Sequence, residues 1–342
     1  MAPGLSRSRG LVALGAAVAL AACGGHRAPP STDQPVVETT TTAPPQKAPL
    51  TGLAYDAPAL AGRAALVVKV DDGPDARPQA GINQADIVFE EQVEGGITRL
   101  AAVYQSKDAS PVGPVRSARS TDVNLAAAFD KPLFAYSGAN KAFLSMIRTA
   151  PLVDVGFANQ PSDYRPVPGH KAPDNLFSDT AALYAHDPAG SRAPPAPFEF
   201  RAPGVAAAAP GIGTASHLQV KFPKTSVTWD FDARTGWRRT QDNFSHVDAV
   251  GHQVAAQNVV VQFVEYADTG LKDQSGAAVP VANVIGTGPA WLLTDGKVVK
   301  GTWTKSSLIG LTRFVDSAGS PFKLTPGQTW VELATTGTAT AS

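Results

Sequence analysis

Residues 94–122 read EGGITRLAAVYQSKDASPVGPVRSARSTD. The stretch holds three arginines, Arg99, Arg116 and Arg119, two glycine turns and a helix start, in a chain that is only 17% charged. Ser120 or Thr121 reads as the N-cap of a helix from Asp122 to Phe129, because a hydroxyl there can accept an orphan backbone N–H. Val123, Leu125, Ala126, Ala127 and Phe129 supply its apolar run. Arg116 and Arg119 then sit just before a helix N-terminus, where unpaired N–H groups and the macrodipole favour an anion. Two guanidiniums at that end suit phosphate, sulfate or carboxylate. The alternative pairs both arginines with Asp122, Glu90 or Glu91, as architecture.

Upstream, Ala64–Val70 reads as a buried strand that stops at the turn Asp71-Asp72-Gly73-Pro74. Ala85–Val93 and Thr98–Gln105 read as two strands joined by a tight hairpin at Glu94-Gly95-Gly96-Ile97. That register sets Arg99 close to Glu91 or Gln92, a cross-strand ion pair in the structural reading. Downstream, Pro132–Tyr136 is a strand, Ser137-Gly138-Ala139-Asn140 a turn, Lys141–Arg148 a helix and Leu152–Phe157 a further strand. A long loop then runs to Asn175 with Tyr164, Arg165, His170, Lys171 and Asp174. Its length and its aromatic and charged content point to function. Tyr164, Arg165, His170 and Asn175 are expected to face the same cleft as Arg116, with His170 donating when protonated. The alternative is a cover for a sheet edge, with Tyr164 and Phe177 as plugs.

Strands alternating with helices predict an α/β (α+β) N-terminal domain with a mixed sheet over residues 53–201. Ligands in such sheets bind beyond the strand C-termini. Asp71, Asp72, Ser137, Gly138 and the arginines of the helix start converge there if the strands are parallel neighbours. The candidate ligand-binding residues are Asp71, Glu90, Glu94, Arg99, Arg116, Arg119, His170 and Asn175. No metal site and no cofactor are expected.

Residues 202–215, rich in Ala, Pro and Gly, read as a linker. From residue 216 to 336 the pattern becomes a mainly antiparallel all-β domain, with an Asp295-Gly296 hairpin turn and a sandwich or partly closed barrel as its form. The composition break predicts that few contacts cross it, so that the C-terminal part folds alone. Residues 337–342 read as a tail.

Met1–Ala22 reads as a signal peptide, with Arg7 and Arg9 ahead of an apolar run too short to span a membrane. It ends in Leu20-Ala21-Ala22-Cys23, and Cys23 is the only cysteine of the chain. A lone cysteine at that position reads as a lipidation site, anchoring the protein to the outer face of the cytoplasmic membrane. Residues 23–52 read as a lipidated start and a Pro/Thr-rich spacer without a core.

The formal net charge is zero, which argues against nucleic acid as a partner. There is no Cys pair for zinc, no Gly-x-Ser-x-Gly elbow and no Walker-type loop. His170, His246 and His252 lack metal-pair spacing. His246 and Asp248 read as a turn. Trp303 and Lys305 read as core and rim of the β domain, or as a sugar-binding face.

Several long motifs carry a family resemblance. They are ARPQAGINQADIVFEEQVEGGITRLAAVYQS, VGPVRSAR, HKAPDNLF, AQNVVVQFVEY, GTGPAWLLTDGKVVKGTWTK and LTPGQTWVEL. In these the chain resembles the YerB-like bacterial lipoproteins (DUF3048) over nearly all of residues 64–333. The resemblance implies an N-terminal and a C-terminal domain and an exported, membrane-anchored envelope protein, and it implies no reaction. One departure is Asp72, where the family pattern has Asn. Three functions follow for testing: a binder of an anionic wall polymer or an envelope protein, a hydrolase or transferase acting on a phosphodiester or glycan with Asp71 as base or metal ligand and the arginines neutralising developing charge, and a spacer without ligand.

Overall fold

Six residues, Leu66–Asp71, form strand β1 and divide by strict alternation between two faces. Leu66, Val68 and Val70 enter one apolar core, and Val67 enters another on the opposite side. The rest of the fold repeats this division on a large sheet. The computed structural model describes residues 46–273 and 276–342. Cys23 and the expected signal peptide lie outside the described residues.

The sheet is built from β1, β2 (Ile87–Gln92), β3 (Thr98–Tyr104), β4 (Leu133–Ala135) and β5 (Val153–Asp154) of the N-terminal half. The C-terminal half contributes strands too. Strands β6 (His217–Lys221), β7 (Ser226–Asp232) and β8 (Gly236–Gln241) form a second sheet with β14 (Ala339–Ala341) at its edge. Strands β9 (Asn258–Phe263), β10 (Gly286–Thr294), β11 (Lys297–Lys305), β12 (Arg313–Asp316) and β13 (Thr329–Ala334) join the first. Its order is β12-β11-β10-β9-β13-β2-β3-β1-β4-β5. Strand β13 pairs parallel with both β9 and β2, and β1 pairs parallel with β4, while β2–β3, β1–β3 and the β9–β10–β11–β12 run are antiparallel. This is the expected mixed sheet followed by mainly antiparallel strands.

Residues 202–215 join two halves that share this sheet, since β13 of the C-terminal half is hydrogen-bonded to β2 of the N-terminal half. Composition marks where the chain changes pattern; it carries no information on which strand edges later pair. The second sheet packs on one face through Trp229, Trp237 and Trp330, all fully buried, with the Trp229 and Trp330 rings 5.2 Å apart. Helices α1 (Ser120–Ala126) and α2 (Lys141–Thr149) pack on the other.

Three boundaries move. The expected spacer ends earlier, because Ala48, Leu50 and Thr51 are buried in the fold. The expected tail is strand β14, paired with β6. The helix begins at Ser120 with Arg119 as its N-cap, and the Asp122 carboxylate, not a hydroxyl, accepts the Arg119 N–H at 2.6 Å. The Thr121 hydroxyl accepts the Ala282 N–H instead, tying the helix to the C-terminal half.

Candidate functional site

The end of β1 is where the two faces acquire charge. Asp71 and Asp72 are adjacent in sequence, so their side chains serve opposite faces of the sheet. On the helix side, Asp71 Oδ2 accepts from Arg99 Nε at 3.1 Å and Arg116 Nε at 2.7 Å, and Oδ1 accepts the Gly73 N–H. Burial alone raises the Asp71 carboxyl, but Arg99 and Arg116 outweigh it and hold the group below its ordinary range. Arg99 lies opposite Glu91 in the hairpin register, as expected, yet its guanidinium turns to the other neighbouring strand, where it is also in register with Asp71.

Arg116 is set by backbone. Its N–H donates to the Lys69 carbonyl and its carbonyl accepts the Ser137 N–H, while Ala118 N–H reaches Gly138. The parallel pairing of β1 with β4 thus brings Asp71, Arg116, Ser137 and Gly138 together. Arg116 Nε also lies 3.1 Å from Asp174 of the long loop. Arg116 is partly exposed, and among the described residues neither of its Nη nitrogens meets a hydrogen-bond acceptor. The same holds for Arg99 Nη2, since Arg99 Nη1 donates to the Ser117 carbonyl.

Arg119 is different. Its Nε and Nη2 clasp both oxygens of Glu94, and Nη1 donates to the Ser117 and Ala118 carbonyls. Arg119 and Glu94 therefore hold the helix start to the β2–β3 turn, as architecture. The partner is Glu94, not the Asp122, Glu90 or Glu91 considered from sequence, because the turn folds back over the helix start.

Glu90 stands apart from the other candidates. It lies on the opposite face of the sheet from Asp71, at the centre of a buried network. Arg239, fully buried on β8, donates through Nη2 to Glu90 at 2.7 Å and to Asp72 at 3.4 Å. Its Nη1 reaches Gln241 and His246 Nδ1. Arg239 has no acceptor role, so Nδ1 is the bare nitrogen and Nε2 carries the proton donated to Gln79. Burial, with Arg239 and Arg77 nearby, holds the His246 imidazole well below its ordinary value, hence neutral. Glu332 on β13 is in register with Glu90 and accepts from Trp229 Nε1 at 2.8 Å. A second buried group, Lys69 with Glu91 and Asp122, lies on the helix side.

Among the described residues none of the four expected loop residues pairs with Arg116. Tyr164 is buried and donates to the Val155 carbonyl, and Arg165 pairs with Asp179. His170 packs at a tilt of 57° against buried Phe177, ring centroids 5.0 Å apart, and its side chain makes no hydrogen bond among the described residues. Asn175 accepts the Val167 N–H through its backbone. Tyr164 and Phe177 act as plugs, and the residue that meets Arg116 is Asp174. Of the network residues that sequence reasoning missed, Arg239 and Glu332 had a signal: Trp237-Arg239-Gln241 and Trp330-Glu332-Ala334 alternate in phase, which puts a charge on an apolar face. Among the described residues no group of three His, Cys, Asp or Glu is arranged around a common metal position.

Fold and site together define a mixed-sheet α+β protein with an all-β C-terminal part and a rim of ion-paired arginines. The chain belongs to the DUF3048 family: residues 50–191 match the model described as "Protein of unknown function (DUF3048) N-terminal domain", and residues 218–331 match its C-terminal domain. A protein described as "Putative lipoprotein YerB", from Bacillus subtilis (strain 168), is 47% identical over 97 residues, 28% of this chain and 29% of the relative. That match spans less than a third of the relative's length. The crystal structure of YerB protein from Bacillus subtilis is similar at a TM-score of 0.73 and 24% identity, covering 87% of this chain and 99% of that one. The likeness is one of fold.

Proposed function

We propose that this is an exported lipoprotein, acylated at Cys23 and held on the outer face of the cytoplasmic membrane, which binds an anionic envelope ligand through Arg99 and Arg116. The anchor is supported by the lipoprotein description of the relative and by the lone cysteine after Leu20-Ala21-Ala22. The observation that carries the ligand reading is the unused Nη fork of Arg116, whose Nε is held between Asp71 and Asp174. A guanidinium oriented by a carboxylate at one end and free at the other is pre-organised for a bidentate oxyanion. An acidic wall polymer presents such groups in series.

The hydrolase or transferase reading is weaker. Asp71 would be the base, and a carboxylate clasped by two arginines and held below its ordinary range takes a proton poorly.

The test measures melting of the full chain with and without sulfate or polyphosphate. Both anions raise the melting point of the wild type, and Arg116→Ala removes the rise while melting near the wild type without anion. Arg119→Ala lowers the melting point outright, by roughly 3–5 kcal/mol of stability, because it strands Glu94. An Arg116→Ala variant that retains the full anion effect overturns the site.

A further inference from the structure

Asp174 stands beside Arg116 without a hydrogen bond to it. The single N–H of Arg116 Nε donates to Asp71 Oδ2 at 2.7 Å, and Asp174 Oδ1 lies 3.1 Å from the same nitrogen. That oxygen is buried and meets no donor among the described residues. Asp71, in contrast, accepts from Gly73, Arg99 and Arg116. Burial and then Asp71 raise the Asp174 carboxyl above its ordinary value, with Arg116 and Arg99 pulling the other way. Of the two acids beside Arg116, Asp174 is the one held by charge alone and the easier to release.

Its place in the chain allows release. Residues 167–175 are the tip of a hairpin with strands Tyr164–Pro166 and Leu176–Ser178. The base is pinned, because Val112 bonds to Ser178 and the Val115 N–H to the Leu176 carbonyl. The backbone hydrogen bonds of the tip stay inside it, from Val167 to Asn175, His170 to Val167 and Asp174 to Lys171. His170 packs on Phe177 of the same hairpin. Among the described residues, the contact with Arg116 is therefore the one ion pair or hydrogen bond between the tip and the rest of the protein. The charges point the same way. Glu94 neutralises Arg119, while Asp71 and Asp174 together balance Arg99 and Arg116. An incoming anion meets no net positive charge until Asp174 leaves. Asp75, the weakest of the charges acting on Asp174, is exposed, where solvent and salt screen it.

We infer that Asp174 is a built-in competitor for the oxyanion site: the 167–175 tip closes against Arg116 with Asp174 in the role of the ligand, and a bound oxyanion takes over the guanidinium and releases the tip. This rests on the anion-binding reading of Arg116 and adds its regulation. Closed and anion-bound forms compete, so the apparent affinity of the wild type is lowered by the fraction of protein that is closed.

Calorimetric titration of the full chain with polyphosphate, and hydrogen exchange across residues 167–175 read by mass spectrometry, test this together. Asp174→Asn keeps the shape of the side chain and removes its charge. It binds polyphosphate about tenfold tighter than the wild type, within the usual range for coupled equilibria. Its tip exchanges faster even without anion, and polyphosphate speeds exchange of the wild-type tip. Asp75→Asn removes a neighbouring charge without touching the ion pair, and it binds as the wild type does. Equal affinity of the wild type and Asp174→Asn, an equal gain in Asp75→Asn, or wild-type tip exchange that polyphosphate leaves unchanged or slows overturns the competitor and leaves the anion site standing. Absence of binding in the wild type and Asp174→Asn alike, or binding that survives Arg116→Ala, overturns the site and the competitor with it.

Discussion

At the residue scale the molecule is governed by carboxyl groups that outnumber the cations buried with them. Glu90, Asp72 and Glu332 share Arg239, and Glu91 and Asp122 share Lys69. Burial first, then the neighbouring Asp122, pushes Glu91 up to about 7 against the pull of Lys69. Burial and then Glu90 raise Glu332 well above its ordinary value. Burial likewise raises Asp72 to about 7, but all its side-chain neighbours are donors, so we place the surplus proton on Glu332, whose Oε2 faces no donor. A carboxyl raised in the folded state binds more protons there than in the unfolded chain. Its stabilising contribution is complete below about 4.3 and is lost as the pH climbs through the folded value. The neutral His246 works the other way and adds stability as the pH rises to about 6.5, so the fall in wild-type stability in urea lies between about pH 6.5 and 8. Glu332→Gln keeps an acceptor for Trp229 and replaces the protonated oxygen with a permanent donor, so it flattens that fall and is more stable than wild type at pH 8. A variant with the same slope as wild type would show that the proton resides elsewhere. None of this charge balance was legible from spacing. The alternation of Trp237, Arg239 and Gln241 announced a buried charge, but its partners come from strands far away in sequence.

At the element scale the β2–β3 hairpin was legible in its strands and turn from alternation and two glycines, while the register, left between Glu91 and Gln92 opposite Arg99, is settled at Glu91. What the pattern did not distinguish is the two glycines. Both adopt positive φ, +70° for Gly95 and +78° for Gly96. A Cβ on Gly95 meets open space, whereas one on Gly96 comes within 2.8 Å of Pro223 Cβ, beside the Lys224 N–H that donates to the Gly96 carbonyl. Gly95→Ala therefore costs only backbone strain, about 1 kcal/mol, and Gly96→Ala costs clearly more, roughly 2–4 kcal/mol, because strain and overlap add. Chemical denaturation of both variants measures the difference, and equal losses would mean that the turn shifts freely against residues 223–224. The helix start was read less well. Hydroxyls at Ser120 and Thr121 are good caps on propensity, but Asp122 sits where its carboxylate reaches back to Arg119 and forward to Lys69 at once. A tertiary ion pair overrode the local preference.

At the scale of the whole molecule, the sequence showed an α+β part followed by an all-β part and placed the change near residue 202. It could not show that the last long strand crosses back. β13 is inserted between β9 and β2, parallel to both, and all six of its residues are buried. Parallel insertion requires a long return connection, and nothing in the composition of residues 202–215 encodes it. The consequence is thermodynamic. A fragment of residues 216–342 loses the β2 partner of β13 and leaves a row of backbone donors and acceptors open. It also loses Glu90 and Asp72 from beside Arg239, so the buried guanidinium is parted from both carboxylates it pairs with directly, at a cost of several kcal/mol. The complementary fragment exposes the same edge of β2 and the face carrying Val88 and Leu100. With a net stability of about 5–15 kcal/mol for a whole domain, neither half can absorb such losses. Each fragment expressed alone is expected to lack cooperative thermal unfolding by circular dichroism, and the two mixed are expected to recover it as a one-to-one complex on size exclusion. A 216–342 fragment that melts cooperatively alone would mean that the second sheet and the strands β9–β12 hold a sufficient core without β2. The buried Arg239 seam would then be an addition to two independent domains and not the condition of their folding.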